Sequence, residues 1–340
     1  MSILTDLRPG ASDPAATDQP REIDPGRSRV DRVFHRSARS VGVLVLVLIG
    51  SIGVFLGLSS IPTLRHYGFS FFTQSDWQPE FDRIGISAVL VGTFEVALVA
   101  MAIAFPLALA TALYISDYAP PRLKSTLISL VDLMAAVPSI VWGLWGFFLL
   151  QPNAIYVARW LHTYLGFLPF FHVDTDPRAA VWEQTRYTAS AFIAGMAVSM
   201  MVLPMACAVM RGVFDQAPIG EREAALALGA TRWGVVRSVV LPFGRGGVIG
   251  GTMLALGRAL GETISVVLII SPAFDIKFRP LEVGTETISA LIAGRFGEAT
   301  SAQLSALLTA GFVLFLITLI TNTFAAILVG RSCSGSATEI

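Results

Sequence analysis

Val41-Gly-Val-Leu-Val-Leu-Val-Leu-Ile-Gly50-Ser-Ile-Gly-Val-Phe-Leu-Gly-Leu-Ser-Ser60-Ile-Pro-Thr-Leu64 runs for 24 residues without a charge. A helix needs about 20 apolar residues to cross the hydrocarbon core of a bilayer, so this stretch predicts a membrane span. It is too long for the apolar core of a secretory signal. No small-residue cleavage site follows Ser59-Ser60-Ile61-Pro62, so a retained anchor is expected. On its amino side, residues 1–40 are polar, with seven arginines and Pro14, Pro20, Pro25 and Gly26. That composition reads as a basic cytoplasmic tail, disordered or lying on the surface.

On the carboxyl side, apolar runs alternate with short charged connections. Ile84 to Ile115 is interrupted only by Glu95, with Pro106 placed to kink it. Leu127 to Leu150 has Asp132 near its start and Pro138 inside. Thr188 to Met210 is uncharged and contains Pro204, Gly246 to Ile270 carries Arg258 and Glu262, and Leu304 to Gly330 carries no charge. Neighbouring helices can satisfy the backbone groups that prolines free. The expectation is an all-α polytopic membrane protein with six transmembrane helices over 41–330 and a tail at 331–340. Composition agrees: 54% of residues are hydrophobic and 14% charged, against roughly 25% charged in a soluble domain. Cys207 lies inside an apolar run and Cys333 in the tail, which gives no disulfide framework and no metal site. Nothing in the chain addresses nucleic acid.

Six spans put both termini on one side. The tails and the loops 116–126 and 211–245 hold fifteen Lys and Arg, against eight in the loops 65–83, 151–187 and 271–303. The positive-inside rule then places both termini in the cytoplasm.

The 211–245 loop contains Glu223-Ala-Ala-Leu-Ala-Leu-Gly229-Ala-Thr-Arg-Trp-Gly-Val-Val-Arg-Ser-Val239-Val-Leu241-Pro242. Its Ala, Leu and Glu content predicts a helix over Glu221 to Leu228, ended by Gly229 at the C′ position. A second short helix is expected from Thr231 toward Leu241, stopped by Pro242. Two short helices with small side chains suit a groove on a soluble partner. A plain connection between spans four and five fits the residues equally well.

Arg258 falls roughly 18 Å into its span at 1.5 Å per residue, near the bilayer midplane. Arginine there costs at least ~2.5–3.5 kcal/mol, so it needs protein, water or a partner around it. Read as one helix, Glu262 lies on the same face about 6 Å away. The two either form an intramembrane salt bridge or present Arg258 to a passing anion. Gly247/Gly251 and Gly257/Gly261 repeat a small-xxx-small spacing that lets another helix approach closely.

The Glu-Ala-Ala, Gly and Leu-Pro pattern at Glu223, Ala224, Ala225, Gly229, Leu241 and Pro242 resembles the "EAA" loop of ABC-importer permeases, with Val239 where isoleucine is usual. That resemblance implies the type I ABC-importer permease fold, with a core of about 84–330 and a coupling loop at 211–242 that docks on an ATP-binding subunit. This chain has no phosphate-binding Gly-x-x-x-x-Gly-Lys-[Ser/Thr] motif of its own. ATP would be bound by the partner, and the chain itself is read as no enzyme.

Three strings are similar to the phosphate-specific permeases, PstC more than its sister PstA. They are Leu256-Gly-Arg-Ala-Leu-Gly-Glu-Thr263, Asp117-Tyr-Ala-Pro120, and Val137-Pro-Ser-Ile-Val-Trp-Gly143-Leu-Trp-Gly146. The likeness runs from about Val89 to Gly330. It implies a bacterial inner-membrane heterodimer with a PstA-like permease, two ATP-binding subunits and an extracytoplasmic phosphate-binding protein. It also implies roles in transport for Arg258 and Glu262. The guanidinium fork suits an oxyanion, and Glu262 could accept a hydrogen bond from the proton that phosphate keeps and sulfate lacks. Sulfate and molybdate permeases share the Arg-Ala-Leu-Gly-Glu core and are the alternative within the class. An ion-gradient anion carrier is the alternative outside it and leaves the 223–242 loop unexplained, as would a receptor or scaffold with no transport role. Glu95 is expected to line an outer vestibule or a helix contact, and Trp142 and Trp145 to anchor or pack. Asn322 is read as an interhelical hydrogen-bond donor. His162 and His172 lie apart in the outer loop, which is expected to rest on the membrane or meet the binding protein.

Overall fold

A computed structural model describes residues 29–173 and 186–331. The readings of 1–28, of part of the 151–187 loop, and of the carboxyl tail with Cys333 lie outside those residues. The chain divides into two compact units, Met1–Ile52 and Gly53–Ile340. The first is described from residue 29, where α1 (Arg29–Tyr67) begins. The second holds the rest of α1 and every element after it.

From Gly53 on, α1 packs against the last helix, α14 (Ser301–Arg331). Gly53 and Gly57 sit under the rings of Phe315 and Phe312. Thr63 bonds Ser305 at 2.8 Å, and Ser305 donates to the Ser59 carbonyl at 2.8 Å. A turn of helix, α2 (Ser70–Thr73), and a small hairpin of β1 (Trp77–Gln78) and β2 (Arg83–Ile84) lead to α3 (Ser87–Leu113).

The core is the crossing of α3 with α7 (Ala191–Phe214). Ala100, Ala104, Ala108 and Ala112 form a fully buried stripe on α3. A Cβ at Gly195 of α7 would fall 2.6 Å from Val99. Small residues at i and i+4 bring the two backbones together, the contact that holds helices where lipid removes the hydrophobic drive.

The segment between these helices departs from the expected third span. A helix α4 (Pro121–Ala136) ends where Val137 turns extended, at ψ 127° before Pro138. The ring of proline disfavours helical backbone in the residue before it. A new helical run then begins, α5 (Ser139–Trp145), and continues through α6 (Gln151–Leu165). The apolar run long enough to cross is therefore Ser139–Leu165, not Leu127 to Leu150. Pro152 does not stop it, because residues 146–150 form a π turn whose end bond runs from the Gln151 N–H to the Gly146 carbonyl. The same device recurs at Val236–Val240 before Pro242, whereas the π turn at Tyr114–Tyr118 ends its helix at the extended Ala119 and Pro120. Widening the turn bypasses the carbonyl four residues back, against which a proline ring would clash.

After α7 come α8 (Ile219–Ala227), α9 (Arg232–Val235), α10 (Leu241–Phe243) and α11 (Arg245–Leu260). Carried by its π turn, the second helix of the loop runs to Phe243 rather than stopping at Pro242, then bends by 69° into α11. The expected fifth span is not one helix. It stops at Gly261 and resumes as α12 (Ile264–Ile269). α13 (Ile288–Arg295) precedes α14. Among the described residues five helices are long and apolar enough to cross a membrane, six if the bent pair is one span.

Candidate functional site

Two places carry the residues singled out by sequence: the break between α11 and α12, and the α8–α10 loop.

At the break, Arg258 lies exposed on the last turn of α11, and Glu262 lies buried beyond it. They make no ion pair, which corrects the expectation of a shared helical face. The interruption at Gly261 takes Glu262 off the helix that carries Arg258. The Oε1 of Glu262 instead accepts from the Ser265 backbone N–H at 3.3 Å and the Ser265 hydroxyl at 2.9 Å, capping the first turn of α12. Its carbonyl accepts from the Ser289 hydroxyl at 2.8 Å, which ties the break to α13. The Val137 to Gly146 string supplies the seat for α12. A Cβ on Gly143 would lie 2.8 Å from the Ser265 Cα, and one on Gly146 2.5 Å from Ile269. Ser265 thus joins the two glycines of that string in supporting the break, and it was not singled out from the sequence. The signal was a serine three residues after an acid, just past a helix-ending glycine.

Arg258 makes no hydrogen bond or ion pair among the described residues. A guanidinium facing lipid would cost several kcal/mol. The arrangement therefore calls for a second protein surface, an aqueous path, or both.

In the loop, α8 ends in a Schellman motif. Ala230 N–H bonds the Ala225 carbonyl at 3.1 Å and Gly229 N–H bonds that of Leu226 at 2.9 Å, with Gly229 at φ +85°. Thr231 then caps α9 by accepting from the Gly234 N–H at 3.1 Å. Glu223, Ala224, Gly229 and Pro242 are exposed, and Ala225 and Leu241 are half-buried. Apolar side chains point outward as well. Leu228 is 90% exposed, beside Ile219, Leu226 and Trp233. Uncovered apolar surface of this kind is what a docking site requires.

The remaining candidates are placed as follows. Glu95 is buried in α3, and its Oε1 has no hydrogen-bond partner. Trp142 packs on the main core, edge to face with Trp145 at 6.0 Å. The Asn322 Oδ1 lies 3.4 Å from where a Cβ on Gly257 would be, and among the described residues Asn322 makes no hydrogen bond, so the expected donor role is not seen there. His162 and His172, read as apart, have ring centroids 5.7 Å apart. The Nδ1 of His162 faces the Val173 N–H at 3.2 Å.

Residues 104–332 match the family described as binding-protein-dependent transport system inner membrane component. The chain is 36% identical over 318 residues to the phosphate transport system permease protein PstC 2 of Mycobacterium tuberculosis, covering 92% of this chain and 96% of that one. It is 35% identical over 319 residues to PstC of Xylella fastidiosa, covering 94% of each. The chain belongs to the PstC family of phosphate-importer permeases. Its fold also matches a subunit of a bacterial alginate ABC transporter solved with an alginate-bound periplasmic protein. The TM-score is 0.56 at 15% identity, over 88% of this chain and 95% of that one. A second alginate importer structure gives 0.53 at 18%, over 91% and 98%. The PstC-family chain is thus a multi-pass permease of the inner membrane.

Proposed function

We propose that this permease carries inorganic phosphate inward past the α11–α12 break, with Arg258 as the counter-charge that the anion meets in mid-membrane. The observation that carries this reading is the exposure of an unpaired Arg258 beside a helix break whose acid, Glu262, is engaged elsewhere. A planar guanidinium can take two oxygens of an oxyanion at once. Glu262 serves as a positioning residue that holds α12 against Gly143, rather than as the other half of an ion pair.

The rest of the assembly follows from the same surfaces. A PstA-like permease covers the face that bears Arg258 and completes the path. ATP-binding subunits dock on Glu223, Ala224, Ala225 and Gly229, with Leu241 and Pro242 shaping the return of the loop. An extracytoplasmic phosphate-binding protein delivers the anion on the opposite side, both termini being cytoplasmic. The permease core and the coupling loop keep the limits given above, while residues 29–40, expected to belong to an irregular tail, are the start of helix α1.

Phosphate uptake in a strain lacking its own permease tests the role of Arg258. Arg258→Lys keeps the charge and loses the fork, and uptake is expected to fall by at least about tenfold, the equivalent of ~1.4 kcal/mol. Normal uptake at normal membrane levels refutes the bidentate role. Loss of the complex, rather than of uptake, would make Arg258 a subunit contact.

A further inference from the structure

The docking loop is not free to move by itself. Arg222, one residue before the Glu-Ala-Ala triplet, reaches back to the far end of α3. Its Nη1 lies 2.5 Å from the Oδ1 of Asp117, and its Nη2 donates to the Phe214 carbonyl at 2.6 Å. The two side chains are only 21% and 10% exposed. Beside them the Asp215 Oδ1 accepts from the Lys124 ammonium at 2.9 Å and the Ser116 hydroxyl at 2.8 Å. Three separate segments meet there: the π turn closing α3, the start of α4, and the stretch joining α7 to α8.

Asp117 sits in a rigid place. Its π turn continues α3 without a break, and α3 is one of the two helices whose crossing forms the core. About 25 residues earlier, near 37 Å along the axis at 1.5 Å per residue, α3 meets the other end of the fold. A Cβ on Gly92 would run into the Glu286 carbonyl oxygen. α3 is thus clamped at both ends, by charge at one and by backbone contact at the other. A nearly buried ion pair adds little net stability but is costly to half-remove, so its effect is to fix one geometry.

We propose that Asp117 and Arg222 form the joint through which movement of the docking helix α8 is passed to α3. Both are positioning residues for coupled transport. Neither contacts the anion nor forms the surface met by the ATP-binding subunit. This rests on the reading of 223–242 as the docking loop.

The test uses the whole importer in proteoliposomes with its binding protein, and reads three quantities. These are the ATP-binding subunit recovered with the permease, ATP hydrolysis, and phosphate taken up per ATP. Asp117→Asn and Arg222→Gln are made singly and together, with Asp117→Glu as the conservative variant. The double variant leaves no buried charge unpaired, so it accumulates even where a single one does not.

The expected result is normal recovery of the ATP-binding subunit with uptake per ATP reduced roughly three- to thirtyfold. The double variant should be no worse than either single one, since the interaction is already lost, and Asp117→Glu should recover part of the loss. Unchanged uptake per ATP in the double variant overturns the proposal. So does loss of the ATP-binding subunit, which makes the pair part of docking, or failure to accumulate, which makes it part of folding. The underlying reading fails separately, if the unaltered permease does not retain an ATP-binding subunit or Gly229 variants do not affect its retention.

Discussion

Replacing Gly229 by alanine perturbs one backbone torsion and little else. The residue sits at φ +85°, and a Cβ built there meets no atom within 4 Å, so no steric clash accompanies the change. What remains is the cost of holding an L-residue in the left-handed region, about 1–2 kcal/mol. The Schellman bonds to Ala225 and Leu226 need that torsion. The free loop can relax out of it, whereas a loop seated on a rigid partner must adopt it. The penalty therefore appears as lost affinity, about five- to thirtyfold weaker binding of the ATP-binding subunit. Asparagine tolerates the left-handed region, so Gly229→Asn should bind within a few-fold of the unaltered chain. Gly220 also has open space around it, without a positive φ, near the start of the same helix. Gly220→Ala should leave binding intact and stiffen α8 by no more than about 1 kcal/mol. Titration of the solubilised permease with purified ATP-binding subunit measures all three. Equal binding by Gly229→Ala and the unaltered chain, or equal damage from Ala and Asn, refutes backbone torsion as the cause.

Gly92→Ala should lower membrane levels or thermal stability, by about 1–3 kcal/mol for an overpacked site, because the new methyl meets the Glu286 carbonyl oxygen and the Thr285 side chain. A melting temperature matching the unaltered chain would rule out that close contact. Burial raises the Glu286 carboxyl to about 7, opposed by the hydrogen bond from the Thr287 N–H and by the charge of Arg295. With the folded value above the unfolded one, the folded state holds the proton more tightly, so stability should decline as pH rises from about 4.5 to about 7. Glu286→Gln should flatten that dependence, and an unaltered pH slope in thermal unfolding would count against it. Glu262→Gln keeps an oxygen to accept from Ser265 and should retain most uptake. Glu262→Ala loses the cap, at a cost of about 1 kcal/mol in local stability, and uptake should suffer. If the glutamine variant is as inactive as alanine, the charge itself takes part in transport.

The membrane-spanning character, and the approximate positions of four of the six expected spans, were legible because apolar length is a physical requirement that sequence displays directly. Gly229 was legible for a related reason, since few residues besides glycine end a helix in the left-handed region without strain. The third span was misjudged by reading Pro138 as lying inside it, and Pro242 was misread as a stop. Pro138 does end a helix, while Pro152 and Pro242 are passed by π turns. A single proline looks the same in sequence in either case. What differs is whether the preceding five residues can widen, and that depends on packing from other parts of the chain. The run from Gly146 to Leu150 has such support, since Gly146 lies against Ala197 and Ile269.

The Arg258–Glu262 spacing shows the same limit at the site. A four-residue separation implies a shared face only while the helix lasts, and Gly261 ends it. The residues that would have announced the break were visible: a glycine, then an acid, then Ser265 three places on, a stop followed by a cap. The long apolar run on either side outweighed them, because the run fits a bilayer as one helix. A continuous helix would have let Arg258 satisfy its charge within the chain, leaving nothing for a substrate. The break instead gives Glu262 an internal structural use and leaves Arg258 exposed, with its charge unanswered among the described residues. The energetic demand of that charge calls for a second protein surface, an aqueous path, or both beside Arg258.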